Sequence, residues 1–419
     1  MEKQDFNEGL LGFLDASPTP FHATLNMSMM LSNAGFIKLD EVNKWNLEEG
    51  RKYYVTRNDS SIIAFTYPKT KNYTMVGSHT DSPNLKLKPN PVIQEHGVVK
   101  FGVEPYGSPL LNPWFDRDLS LAGRVSYLDS KGVIQDTLIN VSKPIAIIPS
   151  LAIHLDDKAN KERTVNQQTD ISPVLTMNDD FEFDEFIKWQ LSKNEILDVK
   201  ELYANELSFY DTQNASFVGL HDDFIASARL DNLLSCYVGL LSICSVGDDI
   251  PMLFIASDHE EVGSESTSGA GGSFLENTIR RMYPDYDEYM EMIRSSILIS
   301  ADNAHAIHPN YPSKHDKNHA PHINKGSVIK VNANQRYASN STTISKFMNV
   351  ANKLNEPYQE FVTRSDMGCG STIGPITATR LGIDTIDIGL PTFAMHSIRE
   401  LCGSDDAHSL YKIIIGFND

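Results

Sequence analysis

The spacing of apolar residues predicts two helices followed by strands at the start of the chain. Over residues 6–33 apolar side chains recur at helical spacing, and Ser17-Pro18-Thr19-Pro20 interrupts them, which predicts a helix on either side. Apolar and β-branched runs then predict three strands, at 51–57, 61–67 and 73–78. The third run leads directly into His79-Thr80-Asp81-Ser82-Pro83.

The middle of the chain has a different pattern. Between residues 84 and 218, short β-like runs at 98–103, 121–128 and 145–149 alternate with turns, and a polar loop spans 156–170. Beyond residue 220, helices and strands alternate. The predicted helices cover 230–244, 341–353 and 372–381, and the predicted strands cover 252–256, 296–300, 328–332, 359–363 and 385–389.

Alternating strands and helices predict an α/β fold in which helices cover both faces of a mixed sheet. The 419 residues are also too many for a single simple core. We therefore predict a discontinuous α/β domain made of residues 1–85 and 219–419. An inserted, mostly β domain would occupy residues 86–218.

Charge and cysteine content narrow the class of protein. The net charge of −19 disfavours nucleic acid and anionic membranes as partners, because both would be repelled. Cys236, Cys244, Cys369 and Cys402 show no metal-finger spacing, which predicts free thiols in a reducing cytoplasm. Neither a secretory signal nor an apolar run of about 20 residues is evident, so we expect a cytoplasmic protein.

The most informative motif is Ser257-Asp258-His259-Glu260-Glu261-Val262-Gly263-Ser264, which follows an apolar strand. Two adjacent acids at a strand end suit a site where one binds a metal and the other acts on a water molecule. The alternative is a solvated strand edge, since exposed acids are common.

Four other residues occupy similar places, and each has a structural alternative. His79, with Asp81 beside it, follows a predicted strand as a metal ligand held by a carboxylate would, although such a pair alone is more often on the surface. Asp231 begins a predicted helix, where Asp is a favoured N-cap. Asp302 ends another strand. His396 follows the last one in an apolar setting typical of a core histidine.

Taken together, His79, Asp231, Glu261, Asp302 and His396 lie at or beside the ends of different elements. Open α/β sheets bind ligands at the carboxyl ends of their strands. Two histidines, one bridging carboxylate and two terminal carboxylates suit two divalent ions about 3.5–4 Å apart. This donor mixture favours zinc, with manganese or cobalt as alternatives. Glu260 would then be left to take a proton from a bridging water.

These motifs resemble those of the aspartyl aminopeptidase family of metallopeptidases over nearly the whole chain. The resemblance extends to Leu230-Asp231-Asn232, Ser300-Ala301-Asp302-Asn303-Ala304-His305, His308-Pro309-Asn310-Tyr311, Asn334-Gln335-Arg336-Tyr337 and Ala394-Met395-His396-Ser397-Ile398-Arg399-Glu400. It implies that His79 and Asp302 bind one metal ion, that Glu261 and His396 bind the other, and that Asp231 bridges them. Glu260 would be the general base and then the acid, and Asp81 would orient the site.

The resemblance also implies an assembly and a substrate pocket. The family forms a tetrahedral dodecamer built from dimers. His154, in Leu151-Ala152-Ile153-His154-Leu155, would enter a neighbouring subunit's active site and help to hold the scissile carbonyl. Without the resemblance, His154 would be interpreted as a buried strand histidine.

Lys330 corresponds to a family lysine that meets an acidic N-terminal side chain, although a strand lysine alone would be a solvated edge residue. Tyr337 and Met367 are the other predicted substrate-binding residues. Met367-Gly368 replaces the Thr-Pro that precedes the cysteine in aspartyl-selective members, so a preference for neutral N-terminal residues is the alternative.

The sequence thus predicts a two-metal aminopeptidase with a preference for acidic N-terminal residues. A deacylase or carboxypeptidase with the same ligand set is one competing hypothesis. A non-catalytic scaffold or cargo-binding assembly is another, and it would be expected to lose the ligands or the base. All five predicted ligands and Glu260 are present in the chain, which favours catalysis.

Overall fold

The computed structural model describes residues 1–418, which form two compact units. The first unit contains Met1–Asp81, Ala215–Met395 and the residues from Glu400 onward, and the second contains Ser82–Asn214 and His396–Arg399. The sequence had suggested boundaries near residues 85 and 218. It had not assigned the short segment His396–Arg399 to the second unit.

The N-terminal segment contains the two predicted helices and the three predicted strands. Pro20 occupies the first turn of the second helix, where a backbone N–H would have no intrahelical partner. One short strand precedes the predicted ones. The elements are α1 (Lys3–Ala16), α2 (Pro20–Asn33), β1 (Ile37–Leu39), β2 (Arg51–Arg57), β3 (Ser61–Tyr67) and β4 (Thr74–His79).

The second unit is a six-stranded antiparallel sheet with one helix. Its elements are β5 (Asn84–Glu95), β6 (Val98–Tyr106), β7 (Leu119–Leu128), β8 (Ile134–Asn140), β9 (Val174–Thr176), α3 (Phe183–Lys193) and β10 (Glu201–Asp211). The strand order is β8-β7-β10-β5-β6-β9. Ile187 and Leu191 of α3 pack into its core. The strand predicted at 145–149 was wrong, because only isolated bridges form there, through Ala146 and Ile147.

The rest of the first unit alternates strands and helices, as predicted. Its elements are β11 (Ser216–Val218), β12 (Phe224–Ser227), α4 (Leu230–Ser245), β13 (Met252–Ser257), α5 (Phe274–Met282), α6 (Tyr286–Ser295), β14 (Ile297–Ala301), β15 (Ala304–His305), β16 (Ser327–Val331), α7 (Ser341–Leu354), β17 (Tyr358–Val362), α8 (Ile373–Leu381), β18 (Asp384–Gly389), β19 (Pro391–Phe393), β20 (Glu400–Gly403) and α9 (Asp406–Gly416). Helices α5, α6 and α9 were not predicted. Within residues 1–418, no helix is long and apolar enough to cross a membrane.

A nine-stranded mixed sheet forms the centre of the first unit, in the order β1-β2-β3-β13-β4-β14-β18-β16-β17. Strands β13, β4, β14 and β18 run parallel to one another. Their carboxyl ends therefore meet at one edge of the sheet, where α/β proteins bind ligands. A separate five-stranded sheet has the order β11-β12-β20-β19-β15.

Helices cover both faces of the large sheet, so the predicted α/β fold class is confirmed. Residues along β13 alternate between two apolar clusters, because successive strand side chains point to opposite faces. Phe254 packs in the cluster that includes residues of α1, α2, α4, α7 and α9, whereas Leu253 and Ile255 pack with residues of α5 and α6. Burial on both faces explains why β13 is apolar from Met252 to Ala256.

Candidate active site

The parallel strands bring most of the predicted site residues to one edge of the large sheet. His79 is the last residue of β4 and lies in register with Ser257, the last residue of β13. Glu260 and Glu261 follow β13 in a short 3-10 turn, and Asp302 directly follows β14. These neighbours are separated by up to 223 residues along the chain, and sheet topology alone brings them together.

His79 lies at the centre of this group. Its Nδ1 donates to the backbone carbonyl of Asp81 at 3.0 Å, so that Nε2 is the nitrogen available to a metal ion when the ring is neutral. The Nε2 atom lies 3.4 Å from Asp231 Oδ1 and 3.6 Å from Asp302 Oδ1. Glu260 Oε2 lies 4.0 Å from the same nitrogen. The alternative of an exposed surface pair is wrong, because His79 and Asp81 are buried.

The carboxylate of Asp81 holds the turn that carries the paired glutamates. Its Oδ1 accepts from the backbone N–H of Glu260 at 3.0 Å, and its Oδ2 accepts from that of Glu261 at 3.1 Å. The turn begins after His259, which has a left-handed backbone conformation. Asp81 therefore fixes the two acids relative to His79, which is consistent with the orienting role predicted for it.

Asp231 is held from two sides at the start of α4. Its backbone N–H donates to Glu400 Oε2 at 3.0 Å, and the neighbouring Asn232 side chain donates to the carbonyl of Ala301 at 2.8 Å. Both Asp231 and Asn232 have non-helical backbone angles, so regular helical geometry in α4 begins only after Asn232, and Asp231 lies one residue before the N-cap position. The N-cap alternative was therefore wrong.

Asp302 forms an ion pair with Lys330, which is only 3% exposed. Lys330 Nζ donates to Asp302 Oδ2 at 3.2 Å, and the backbone N–H of Asn303 donates to Oδ1 at 2.7 Å. The neighbouring Gly389 makes room for this pair, since a Cβ atom there would lie 2.8 Å from Lys330 Cε. Lys330 is thus a buried, paired cation, and the alternative of a solvated edge lysine is wrong.

The acids concentrate negative charge in a buried space. Burial raises the pKa of Glu260 to about 7, and burial together with Asp231 raises the pKa of Glu261 well above its ordinary value. Although burial opposes it, Lys330 and His79 hold the pKa of Asp302 well below its ordinary range. Several carboxylates this close together are best neutralised by cations.

The donor set fits divalent metal ions. His79, Asp231 and Asp302 each offer a ligand atom within 4.8 Å of the others, and His79, Glu260 and Glu261 form a second such group. One imidazole with carboxylates suits zinc. The family resemblance implies that His79 and Asp302 bind one metal ion and that Asp231 bridges it to the other.

His396 belongs to the segment of the second unit that spans residues 396–399. Its Nδ1 donates to the carbonyl of Ser108 at 3.1 Å, and its own carbonyl accepts from the N–H of Leu110. The Nδ1 bond directs Nε2 away from Ser108, and a neutral imidazole held through Nδ1 can bind a metal ion through Nε2. The core-histidine alternative is wrong because the ring is not buried, whereas Ile398, two residues on, packs in the core of the second unit.

His154 lies in an exposed turn of the second unit, so its interpretation as a buried strand histidine was wrong. The apolar residues around it are also exposed, and Leu155 is 74% accessible. Residues 150–173 contain neither helix nor strand. The role of His154 in a neighbouring subunit remains a prediction.

The predicted substrate-binding residues differ in their surroundings. Tyr337 is buried, and Lys330 Nζ lies 5.5 Å from its ring centroid, close enough for a cation–π contact. Met367 is 45% exposed in the loop between β17 and α8. Lys330 therefore contacts Asp302 directly and Tyr337 lies beside Lys330, whereas Met367 lies on a more accessible loop.

Two buried acids near the site had received no role from the sequence. Glu400 holds Asp231, and Asp387 lies within β18 between Ile386 and Ile388. An acid inside an apolar strand is itself a signal, since charged residues are seldom fully buried without partners. The sequence could not identify those partners.

Comparisons with known proteins agree with this geometry. The profile of the family described as "Aminopeptidase I zinc metalloprotease (M18)" matches residues 13–418. The chain is 52% identical over 422 residues to a "Probable M18 family aminopeptidase 2" of Pseudomonas fluorescens, covering 99% of this chain and 98% of that protein. A homologue from Pseudomonas putida is also 52% identical, over 418 residues, covering 98% and 97% of the two chains.

Solved structures share the fold over the full length. The chain in the complex of Ape4 and Nbr1 superposes with a TM-score of 0.95 at 36% identity, covering 99% of this chain and 85% of that one. The S. cerevisiae mApe1 dodecamer superposes with a TM-score of 0.84 at 27% identity, covering 99% and 96%. The predicted family is confirmed: this chain is a metallo-aminopeptidase that belongs to the aminopeptidase I zinc metalloprotease (M18) family.

Proposed function

We propose that the chain is a two-metal aminopeptidase in which Glu260 is the general base. The observation that carries this proposal is the convergence of His79, Asp231 and Asp302 on one point, with Glu260 4.0 Å from His79 Nε2. His79 and Asp302 would hold one zinc ion, Glu261 and His396 the other, and Asp231 would bridge them. Manganese or cobalt would be alternative metals.

Bound divalent ions would supply a more acidic water molecule and a polarised scissile carbonyl. Glu260 would accept the proton of that water and return it to the leaving amine. Its carboxylate lies 4.0 Å from His79 Nε2, beside the predicted ligands, where it could reach a water molecule held between them. Asp81 would keep Glu260 in position through the turn.

The buried ion pair of Lys330 supports a preference for acidic N-terminal residues. An ammonium group has three donors, and Asp302 accepts one of them. A second carboxylate, from an N-terminal Asp or Glu of the substrate, would suit the others. Tyr337 and Met367 would line the same pocket. The alternative within the family is a neutral preference, because Asp302 already balances the charge of Lys330 and Met367 is apolar.

We further propose that the chain forms a homo-oligomer, a dodecamer built from dimers. The solved S. cerevisiae mApe1 dodecamer supports the number of subunits. In such an assembly, the exposed turn around His154 would reach a neighbouring subunit's active site. Peptides would be the substrates. The four cysteines, all free thiols, suit a reducing cytoplasmic setting.

Replacing Lys330 tests the substrate preference. For Lys330→Ala, we expect kcat/KM on peptides with N-terminal Asp or Glu to fall by about 10- to 100-fold, because a charge-assisted hydrogen bond is lost. Activity on N-terminal Leu and Ala should fall much less. The measurement is kinetics on a panel of peptides with N-terminal Asp, Glu, Leu, Ala and Lys, together with zinc content.

Lys412→Ala is the matched control, since Lys412 is paired with Glu356 at 2.7 Å on the surface of the same unit. It should leave the preference unchanged. If Lys330→Ala instead lowers activity equally on every peptide and reduces zinc content, the role of Lys330 is only to hold the predicted metal ligand Asp302. The acidic preference would then be rejected in favour of the neutral one.

A further inference from the structure

Asp387 is a fully buried carboxylate in the middle of β18. Its Oδ1 accepts hydrogen bonds from the hydroxyls of Ser300, at 2.7 Å, and Thr372, at 2.6 Å. Its Oδ2 accepts from the backbone N–H of Ala338 at 2.6 Å. Burial raises the pKa of Asp387, and these three bonds and Lys330 oppose the rise. Such a carboxylate is stable only while its donors stay in place.

The three donors come from three different parts of the first unit. Ser300 lies in β14, two residues before Asp302. Ala338 follows Tyr337, and the backbone N–H of Asp387 also donates to the hydroxyl of Ser339 at 2.9 Å. Asp387 therefore connects the strand that carries a predicted metal ligand to the segment 337–339.

The third donor fixes the loop that carries Met367. Thr372 is the N-cap of α8 and ends the loop that follows β17. Cys369 of that loop packs in a small apolar cluster with Tyr337. Gly374, in the first turn of α8, allows close approach, because a Cβ atom there would lie 2.4 Å from Asp387 Oδ1. The start of α8 is therefore packed directly against the carboxylate of Asp387. The dipole of α8 favours a negative charge at this end of the helix.

We propose that Asp387 is a positioning residue of the substrate pocket, which fixes the Tyr337 segment and the Met367 loop relative to the strand of Asp302. It does not touch the substrate. It sets the distance between the pocket walls and the predicted metal ligand Asp302. That distance determines KM and the discrimination among N-terminal residues. This inference rests on the proposed function, since that proposal makes Tyr337 and Met367 pocket residues.

The test is Asp387→Asn, which keeps the shape but replaces one acceptor oxygen by an amide donor. At least one of the three donors then loses its acceptor. We expect KM for the preferred N-terminal residue to rise about 10-fold, with kcat changed less than about threefold and zinc content unchanged. The ratio of kcat/KM values between acidic and neutral N-terminal residues should shrink as well.

Asp406→Asn is the matched control. Asp406 is an equally buried acid of the same unit, and it accepts from the backbone N–H groups of Asn324 and Gly326 at 2.8 Å. The Asp406→Asn substitution should lower the melting temperature without changing the discrimination among N-terminal residues. Should Asp387→Asn fail to fold, Thr372→Val, which removes one donor from the loop side, decides the question by the same readouts.

The inference is overturned if the decisive variant melts earlier but keeps the KM and the discrimination of the unaltered enzyme. It is equally overturned if kcat or zinc content falls while KM is constant, because Asp387 would then position only the predicted metal ligands and not the substrate pocket. Failure of the proposed function would look different. The unaltered enzyme would then show the same kcat/KM for every N-terminal residue of the panel, so that it would have no discrimination for Asp387→Asn to reduce.

Discussion

Glu260→Gln is expected to lower kcat by roughly 10²- to 10⁴-fold, because general-base catalysis typically contributes that much. The amide has the shape of the acid but cannot accept the proton of the attacking water. Zinc content should stay at its original value, since Glu260 is not one of the five predicted ligands. The measurement combines steady-state kinetics on a peptide with elemental analysis of the same preparation.

Glu276→Gln provides the matched control. Glu276 lies in α5 of the same unit and forms ion pairs with Arg280 and Arg380. Its replacement should leave kcat within about twofold of the original, as expected for a surface substitution away from the site. Full activity of Glu260→Gln would reject Glu260 as the base. Loss of zinc from the Glu260→Gln protein would instead identify Glu260 as a metal ligand. Its carboxylate lies close enough to His79 and Glu261 for that role.

His79→Ala is expected to remove metal as well as activity. Its Nε2 atom lies within 4.0 Å of three carboxylates, so the substitution leaves a cluster of buried acids without a nitrogen ligand. We expect zinc affinity at this position to fall by more than about 100-fold, the upper end for loss of a second-shell partner. Zinc per chain, measured after dialysis against a weak chelator, should decrease in parallel with kcat.

His22→Ala is the control for this variant. His22 lies in α2 of the same unit and pairs with the hydroxyl of Thr19 at 2.8 Å. It should retain zinc and activity. A His79→Ala protein that keeps its full zinc content would contradict the ligand assignment, even if its activity were low.

The sequence predicted the central strands of the large sheet because largely apolar runs mark them. In two of them a polar site residue marks the end as well, since His79 ends β4 and Asp302 directly follows β14. Some of the missed helices also carried a signal that the prediction did not use. In α6, Asp285 accepts from the backbone N–H groups of Asp287 and Glu288, a capping pattern visible in the sequence.

The residues that hold the ligands could not be found in the same way. Glu400 contacts Asp231 across 169 residues, and Asp387 contacts Ser300 across 87. Such contacts depend on strand register and on how closely helices approach the sheet. The spacing of apolar residues along the chain reveals neither. The grouping of residues 396–399 with the second unit depends likewise on the distant contact between His396 and Ser108.

The most direct test of the two-metal aminopeptidase is a zinc titration of the metal-stripped protein. Hydrolysis is followed with a peptide that has a free N-terminus and an amidated C-terminus, and with its N-acetylated form. We predict that activity appears only with the free N-terminus and rises until two zinc ions are bound per chain. A plateau at one ion, hydrolysis without metal, or cleavage of the acetylated peptide would contradict the account.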